Sequence, residues 1–263
     1  MDLGLAGKSV LVVGGSAGIG RAAAELLLAE GAQVTIAARD PARLAEAAAA
    51  LRAATGTAPA TALCDAGDPE AVAALLARWE DAPLQALVSA FGGSFRSAFA
   101  SLTDAQWLAN YELNILGTVR VVRAALPALG RAAAAGSARV VLLGAASARQ
   151  PTAQQAVSNV HKAGLLALAK TLANELAPQG IGVNTVSPGR ALTPLWQSRA
   201  AQMARDAGTT PEAVLAKAAE DIPFGRFATA EEVARMVVFL ASGATAYVTG
   251  QNIQVDGGLV RGV

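Results

Sequence analysis

Seven residues near the start of the chain carry the clearest chemical signal. Gly14-Gly15-Ser16-Ala17-Gly18-Ile19-Gly20 sets glycines in a GxxxGxG spacing directly after the apolar run Ser9-Val10-Leu11-Val12-Val13. Glycine permits turn dihedrals closed to other residues, and it removes side chains that would block a pyrophosphate. A helix that opens at this turn offers free N–H groups and the positive end of its dipole to an anion. The chemistry is nucleotide binding; a tight strand–helix turn without a ligand is the bland alternative. A second signal ends the next apolar run, at Ala37-Ala38-Arg39-Asp40. A carboxylate here would hold a ribose 2′-hydroxyl, and an arginine would hold a 2′-phosphate. Arg39 comes first, which favours NADP(H). NAD is the alternative, since Asp40 could take the ribose instead of capping the helix that Pro41 opens. One histidine, His161, and one cysteine, Cys64, cannot build a metal site, so none is expected.

These residues need a frame. The chain has 263 residues, 53% of them hydrophobic and 16% charged, with 65 alanines, which favours a large core under close-packed helices. The net charge of +1 argues against a general grip on nucleic acid or anionic lipid. No apolar run reaches the length of a membrane span. The acidic start, Met1-Asp2-Leu3-Gly4-Leu5, predicts no cleaved leader. A single cysteine excludes an internal disulfide framework, and the expected compartment is the cytoplasm. Short β-rich runs at residues 9–13, 33–37, 60–64, 84–89, 139–143, 181–186 and 252–255 alternate with alanine- and leucine-rich helical stretches. Such repeated strand–helix units predict an α/β fold, a doubly wound parallel sheet in one domain spanning 1–263. Residues 131–138 read as a flexible connection. The irregular stretch at 190–223 reads as a mobile substrate lid. Within it, Trp196 and Met203 could line an apolar pocket and Arg199 and Arg205 could attract an acidic substrate, or the segment is simply an amphipathic helix.

From Leu5 to Gly258 the chain resembles the short-chain dehydrogenase/reductase family, in particular its 3-oxoacyl-(acyl-carrier-protein) reductase-like branch. Gly14-xxx-Gly18-Ile19-Gly20 matches the family's phosphate loop. Cys64-Asp65 stands where the family's adenine-contacting aspartate lies. Asn114, in Glu112-Leu113-Asn114-Ile115, matches the catalytic asparagine. Ser187-Pro188-Gly189, with Thr193 four residues on, matches the PGxxxT segment that holds the nicotinamide amide. Ile222–Phe227, Ala230–Val233 and Tyr247–Gly258 resemble the family's late segments. The resemblance implies a Rossmann-type fold, a small-molecule substrate, NADP(H) as cofactor, and a homotetramer paired through the helices near 103–126 and 158–176.

The family's general acid is the tyrosine of a YxxxK motif, with a catalytic serine 13 residues before it. Lys162 matches the lysine, and the resemblance gives it the nicotinamide ribose to hold. Four residues earlier stands Ser158, and 13 before that stands Ala145. Ser89-Ala90-Phe91-Gly92 occupies the place of the family's NNAG segment. Asn114 and Lys162 thus remain of four catalytic positions. An aliphatic hydroxyl is far less acidic than a phenol and shorter by a ring, so Ser158 is a poor substitute. Losing general acid catalysis costs roughly 10²–10⁴-fold. Possible stand-ins are Ser147, two residues after Ala145; Tyr111, three before Asn114; and His161, whose imidazole can move protons near neutral pH. For each of them packing or solvation is the plainer role, and Tyr247 reads as structural. The expected activity is NADP(H)-dependent carbonyl reduction or alcohol oxidation, with water or another donor near Asn114 supplying the proton. A nucleotide-binding sensor or partner subunit, and an isomerase or lyase, are the alternatives.

Overall fold

A computed structural model describes residues 2–93 and 96–262, so Met1 of the acidic start lies outside the described residues. Seven parallel strands, β1 (Ser9–Val13), β2 (Gln33–Ala38), β3 (Ala60–Leu63), β4 (Ala86–Ser89), β5 (Ala138–Leu143), β6 (Ile181–Pro188) and β7 (Asn252–Val255), form one sheet in the order 3-2-1-4-5-6-7. This is the doubly wound Rossmann-type architecture that the strand–helix rhythm predicts. The order reverses between β1 and β4, and at such a switch point the loops leaving the two strands diverge and open a crevice.

The alternation of side chains along β1 shows why both faces must be covered. Val10 and Val12 join one core with α1 (Gly18–Ala29) and α9 (Ala230–Ala241), through Leu27, Val233 and Val237. Leu11 and Val13 join the other, with α3 (Pro69–Leu76), α5 (Gly117–Ala134) and α6 (Ala156–Leu176), through Val72, Val121 and Leu165. The remaining helices are α2 (Pro41–Thr55), α4 (Asp104–Tyr111), α7 (Pro194–Ala207) and α8 (Pro211–Ala219).

Three expectations change. Residues 131–138 are not a flexible connection: α5 continues to Ala134, since the alanine run after Arg131 favours helix, and β5 starts at Ala138. The stretch 190–223 is two helices, α7 and α8. Its two ends are joined to each other by the Arg190–Asp221 ion pair at 2.8 Å and by a hydrogen bond from Arg190 to the Ala218 carbonyl. Finally, α4 and α5 run on through a π-helical segment, Glu112–Leu116, so that Asp104–Ala134 is one helix of 31 residues. By length and composition alone it could cross a membrane, which amends the expectation that no run is long enough. In this fold Val121, Val122, Ala125 and Leu129 bury its apolar stripe against the sheet.

Candidate functional site

The crevice at the switch point is lined by Gly14, Ser16, Arg39, Asp65, Phe91, Gly92 and Leu113, among others. These come from the carboxyl ends of β1 to β4 and from the π-helical segment. Five of the expected residues, Gly14, Ser16, Arg39, Asp65 and Gly92, are therefore brought together, and two others, Phe91 and Leu113, are ones that sequence reasoning did not name as ligands. A wider cleft, lined in part by Gln33, Thr35, Arg78 and Trp79, opens at the other end of the strands and contains none of the expected residues.

The glycine turn is tightly built. Gly14 has φ 87°, and a Cβ placed on it would lie 2.7 Å from the Ala90 carbonyl. A Cβ on Gly20 would lie 2.2 Å from the Gly14 carbonyl oxygen. Gly18, at φ 53°, faces Thr193, whose methyl would sit 3.4 Å from an added Cβ. The first turn of α1 has no side-chain cap, whereas Asp40, Asp68, Thr103, Thr210 and Thr229 cap other helices. Its orphan N–H donors are those a diphosphate needs, and the space that glycine leaves is where one would lie. The residues present fit a dinucleotide.

Asp40 has another task. Its Oδ1 accepts from the Ala42 and Arg43 N–H groups at 3.0 and 3.1 Å, capping α2. Arg39 is exposed and lines the crevice. Asp65 also lines it, with Oδ1 accepting from Gly67 N–H at 2.9 Å. Its neighbour Cys64 is buried, and burial with the nearby Asp65 and Asp68 charges pushes its thiol up to about 11, so it is unreactive at neutral pH.

Deeper in, Gly92 brings the two remaining family positions together. A Cβ on Gly92, whose φ of 141° already demands glycine, would lie 2.7 Å from Asn114 Oδ1 and 3.2 Å from Lys162 Nζ. Lys162 is 9% exposed, and Nζ donates to the Leu143 carbonyl at 3.0 Å. Burial pulls its ammonium down to about 8. Asn114 is held on three sides. Its Nδ2 donates to the Gly93 and Asn110 carbonyls at 3.1 and 3.0 Å and to Asn110 Oδ1 at 3.1 Å. Gly93 N–H donates to its Oδ1 at 3.3 Å.

Pro188 ends β6, and Gly189 packs so closely on Asp256 that a Cβ would lie 2.8 Å from its Cα. Thr193 begins α7 without a side-chain cap bond, which leaves its hydroxyl for a ligand beside Gly18. Ser158 is buried, only 2% exposed. Ser158→Tyr is therefore expected to overpack the site and cost about 1–3 kcal/mol of stability. A thermal melt of that variant checks this, and an unchanged Tm would refute it.

The candidate stand-ins lie elsewhere. His161 is turned to α4, with ring centroids 5.7 Å from both Trp107 and Tyr111. Tyr111 is half exposed, Tyr247 is fully exposed, and Ser147 sits in a short turn, Ala146–Ala148. In α7, Trp196 stacks edge-on against Phe227 at 5.0 Å and carries the Arg199 guanidinium at 5.8 Å, while Met203 is exposed. Among the described residues no cluster could hold a metal ion.

Comparison with known proteins agrees with this fold. Residues 13–260 match the family model described as enoyl-(acyl carrier protein) reductase. The rhamnolipid-biosynthesis 3-oxoacyl-(acyl-carrier-protein) reductase of Pseudomonas aeruginosa is 36% identical over 261 residues, covering 97% of this chain and 96% of that one. The L-sorbose reductase of Gluconobacter frateurii, solved with NADPH and L-sorbose, superposes with a TM-score of 0.93 at 33% identity over the whole of both chains. A short-chain oxidoreductase of Pseudomonas aeruginosa, solved with NADPH and described as having an atypical catalytic center, is 34% identical with a TM-score of 0.85, covering 98% of this chain and all of that one. The chain belongs to the short-chain dehydrogenase/reductase family, in its 3-oxoacyl-(acyl-carrier-protein) reductase-like branch.

Proposed function

We propose that the protein is an NADP(H)-dependent oxidoreductase that reduces a carbonyl, or oxidises the matching alcohol, in an active site that works without the family's tyrosine and serine. The observation that carries the reading is the convergence of Asn114 and Lys162 on Gly92 at the inner end of a crevice shaped for a dinucleotide. When bound, the cofactor supplies or accepts the hydride. Gly14, Ser16, Gly18, Ile19 and Gly20 would hold its diphosphate, and Asp65, Ala90 and Gly92 would border the adenosine and inner ribose. Pro188, Gly189 and Thr193 would hold the nicotinamide amide. Lys162 would bond the ribose hydroxyls. Its ammonium, brought down to about 8, and the Asn114 carboxamide would order the water that gives up the proton. Ser158 and Ala145 take no part in proton transfer on this reading, which is why a slow reaction is expected.

Arg39 selects the cofactor. With Asp40 spent on α2, the guanidinium is left to meet a 2′-phosphate. Calorimetric titration is expected to show tighter binding of NADPH than NADH, and Arg39→Ala is expected to weaken NADPH about tenfold while leaving NADH unchanged. The same preparation is then assayed for nicotinamide oxidation over a panel of ketones and quinones. Binding without turnover would favour a sensor, partner subunit, isomerase or lyase instead, and no binding would overturn the cofactor assignment.

The substrate would be a small molecule entering under α7 and α8, which we propose act as a lid. A homotetramer is supported by the apolar side chains that α4 and α6 leave exposed, Leu108 at 66% and Val160 at 55%. A monomer in light scattering at micromolar concentration would contradict it. The lone, buried Cys64 suits a reducing, cytoplasmic compartment.

A further inference from the structure

The hydrogen bonds around Asn114 fix more than its own position. Three backbone groups decide which way its carboxamide points, because the Gly93 and Asn110 carbonyls can only accept and the Gly93 N–H can only donate. The nitrogen of Asn114 therefore faces the Gly93 and Asn110 carbonyls, and its oxygen faces the Gly93 N–H and Gly92. The Asn110 side-chain atom 3.1 Å from Asn114 Nδ2 is its Oδ1, which shares one of the two Nδ2 hydrogens with a backbone carbonyl, since an Asn110 NH2 there would set donor against donor. That same oxygen lies 2.8 Å from His161 Nδ1. Two donors converge on one carbonyl oxygen, so Nδ1 must carry a proton. The ring is 7% exposed and wedged between Trp107 and Tyr111, and burial lowers its pKa from the ordinary value, which keeps the imidazole neutral. The neutral ring is thereby held in a single tautomer, protonated at Nδ1 and bare at Nε2.

We propose that His161 and Asn110 are positioning residues that lock the Asn114 carboxamide, so that its oxygen stays aimed at Gly92 and the Lys162 ammonium. The pair spans 51 positions of sequence and ties α6, which carries Lys162, to the helix that carries Asn114. Neither residue touches the crevice. Their action passes through Asn114, and its catalytic consequence rests on the oxidoreductase reading above. The tautomer and the order of the Asn114 side chain do not depend on that reading.

His161 is the only histidine of the chain, so its imidazole gives a single assignable signal in 15N-labelled protein without an affinity tag. Long-range proton–nitrogen spectra at pH 8, without nucleotide, are expected to show Nδ1 protonated and Nε2 unprotonated. An Nε2-protonated or averaged ring would overturn the proposal whatever the enzyme's activity. Asn110→Leu is expected to release the ring to an averaged state and to speed exchange of the Asn114 side-chain amide protons. Asn110→Asp, whose carboxylate still accepts from both donors, is expected to restore both signals. For turnover with NADPH, Asn110→Leu is expected to lower kcat about 3- to 10-fold with the NADPH Kd unchanged, and Asn110→Asp to recover it. A loss of thermal stability in Asn110→Leu, with kcat per folded molecule and Asn114 exchange both unmoved, would make the pair merely structural and sink the idea. Failure of every form to turn over would count against the oxidoreductase reading, while the spectra would still decide the lock.

Discussion

Gly20→Ala is expected to abolish nucleotide binding and to cost about 3 kcal/mol of stability or more. The reason is room. A methyl at this position would lie 2.2 Å from the Gly14 carbonyl oxygen, 2.9 Å from its carbon and 3.1 Å from the Ala90 side chain. Two of those atoms belong to the backbone of the phosphate turn and cannot rotate away. The helix must back out of the turn, and its first N–H groups, which would meet the diphosphate, back out with it. Gly18→Ala is the informative contrast. Its nearest neighbour would be the Thr193 methyl at 3.4 Å, an ordinary contact, so the cost is that of a left-handed alanine at φ 53°, about 1–2 kcal/mol. Denaturant melts and NADPH titrations of both variants check the ranking. Equal effects would mean that conformation, not space, rules the turn.

Lys162→Met is expected to weaken NADPH binding about 10- to 100-fold and at the same time to stabilise the free protein. The ammonium is desolvated, and its pKa of about 8 in the folded chain compares with about 10.5 in an unfolded one. Below pH 8 the folded state carries the whole penalty of a buried cation, about 3 kcal/mol. Between pH 8 and 10.5 the folded group sheds its proton first, so this penalty fades as pH rises. Methionine removes the charge and fills the space, but leaves the Leu143 carbonyl without its donor, which returns about 1–2 kcal/mol. The net gain at pH 7 is about 1–2 kcal/mol, or a rise in Tm of about 2–8 °C. The gain should shrink when the melts are repeated near pH 10. A destabilised Lys162→Met at pH 7 would show that the lysine is better solvated than its burial indicates.

How far the sequence is legible depends on how local each cause is. β1 and β7 are found at the residues their apolar runs mark, because a buried strand is written in consecutive side chains. The phosphate turn is legible for the same reason: glycine spacing acts within seven residues. The end of α5 is misread because Gly136 and Ser137 outweigh the helix-forming alanines before them. Asp40 could be read as a cap or as a ribose ligand, and only the distances to Ala42 and Arg43 separate the two. Asn110 is the clearest omission. Its place four residues before Asn114 was available as an i,i+4 pair. Its meaning comes from His161, on another helix, which no local pattern contains.

The π-helical segment at Glu112–Leu116 also sets a rotation. An α-helix turns about 100° and climbs about 1.5 Å per residue, whereas a π turn closes its hydrogen bonds five residues apart and so absorbs one residue more. It works as a phase adjuster within a single 31-residue rod. Remove one residue there, and everything before it swings by roughly a quarter turn relative to α5. Trp107, Asn110 and Tyr111 would leave the face that meets His161, while Val121, Val122 and Leu129 kept their places against the sheet. The widened turn lets one helix obey two masters, the core at one end and the contacts to Asn114 and His161 at the other.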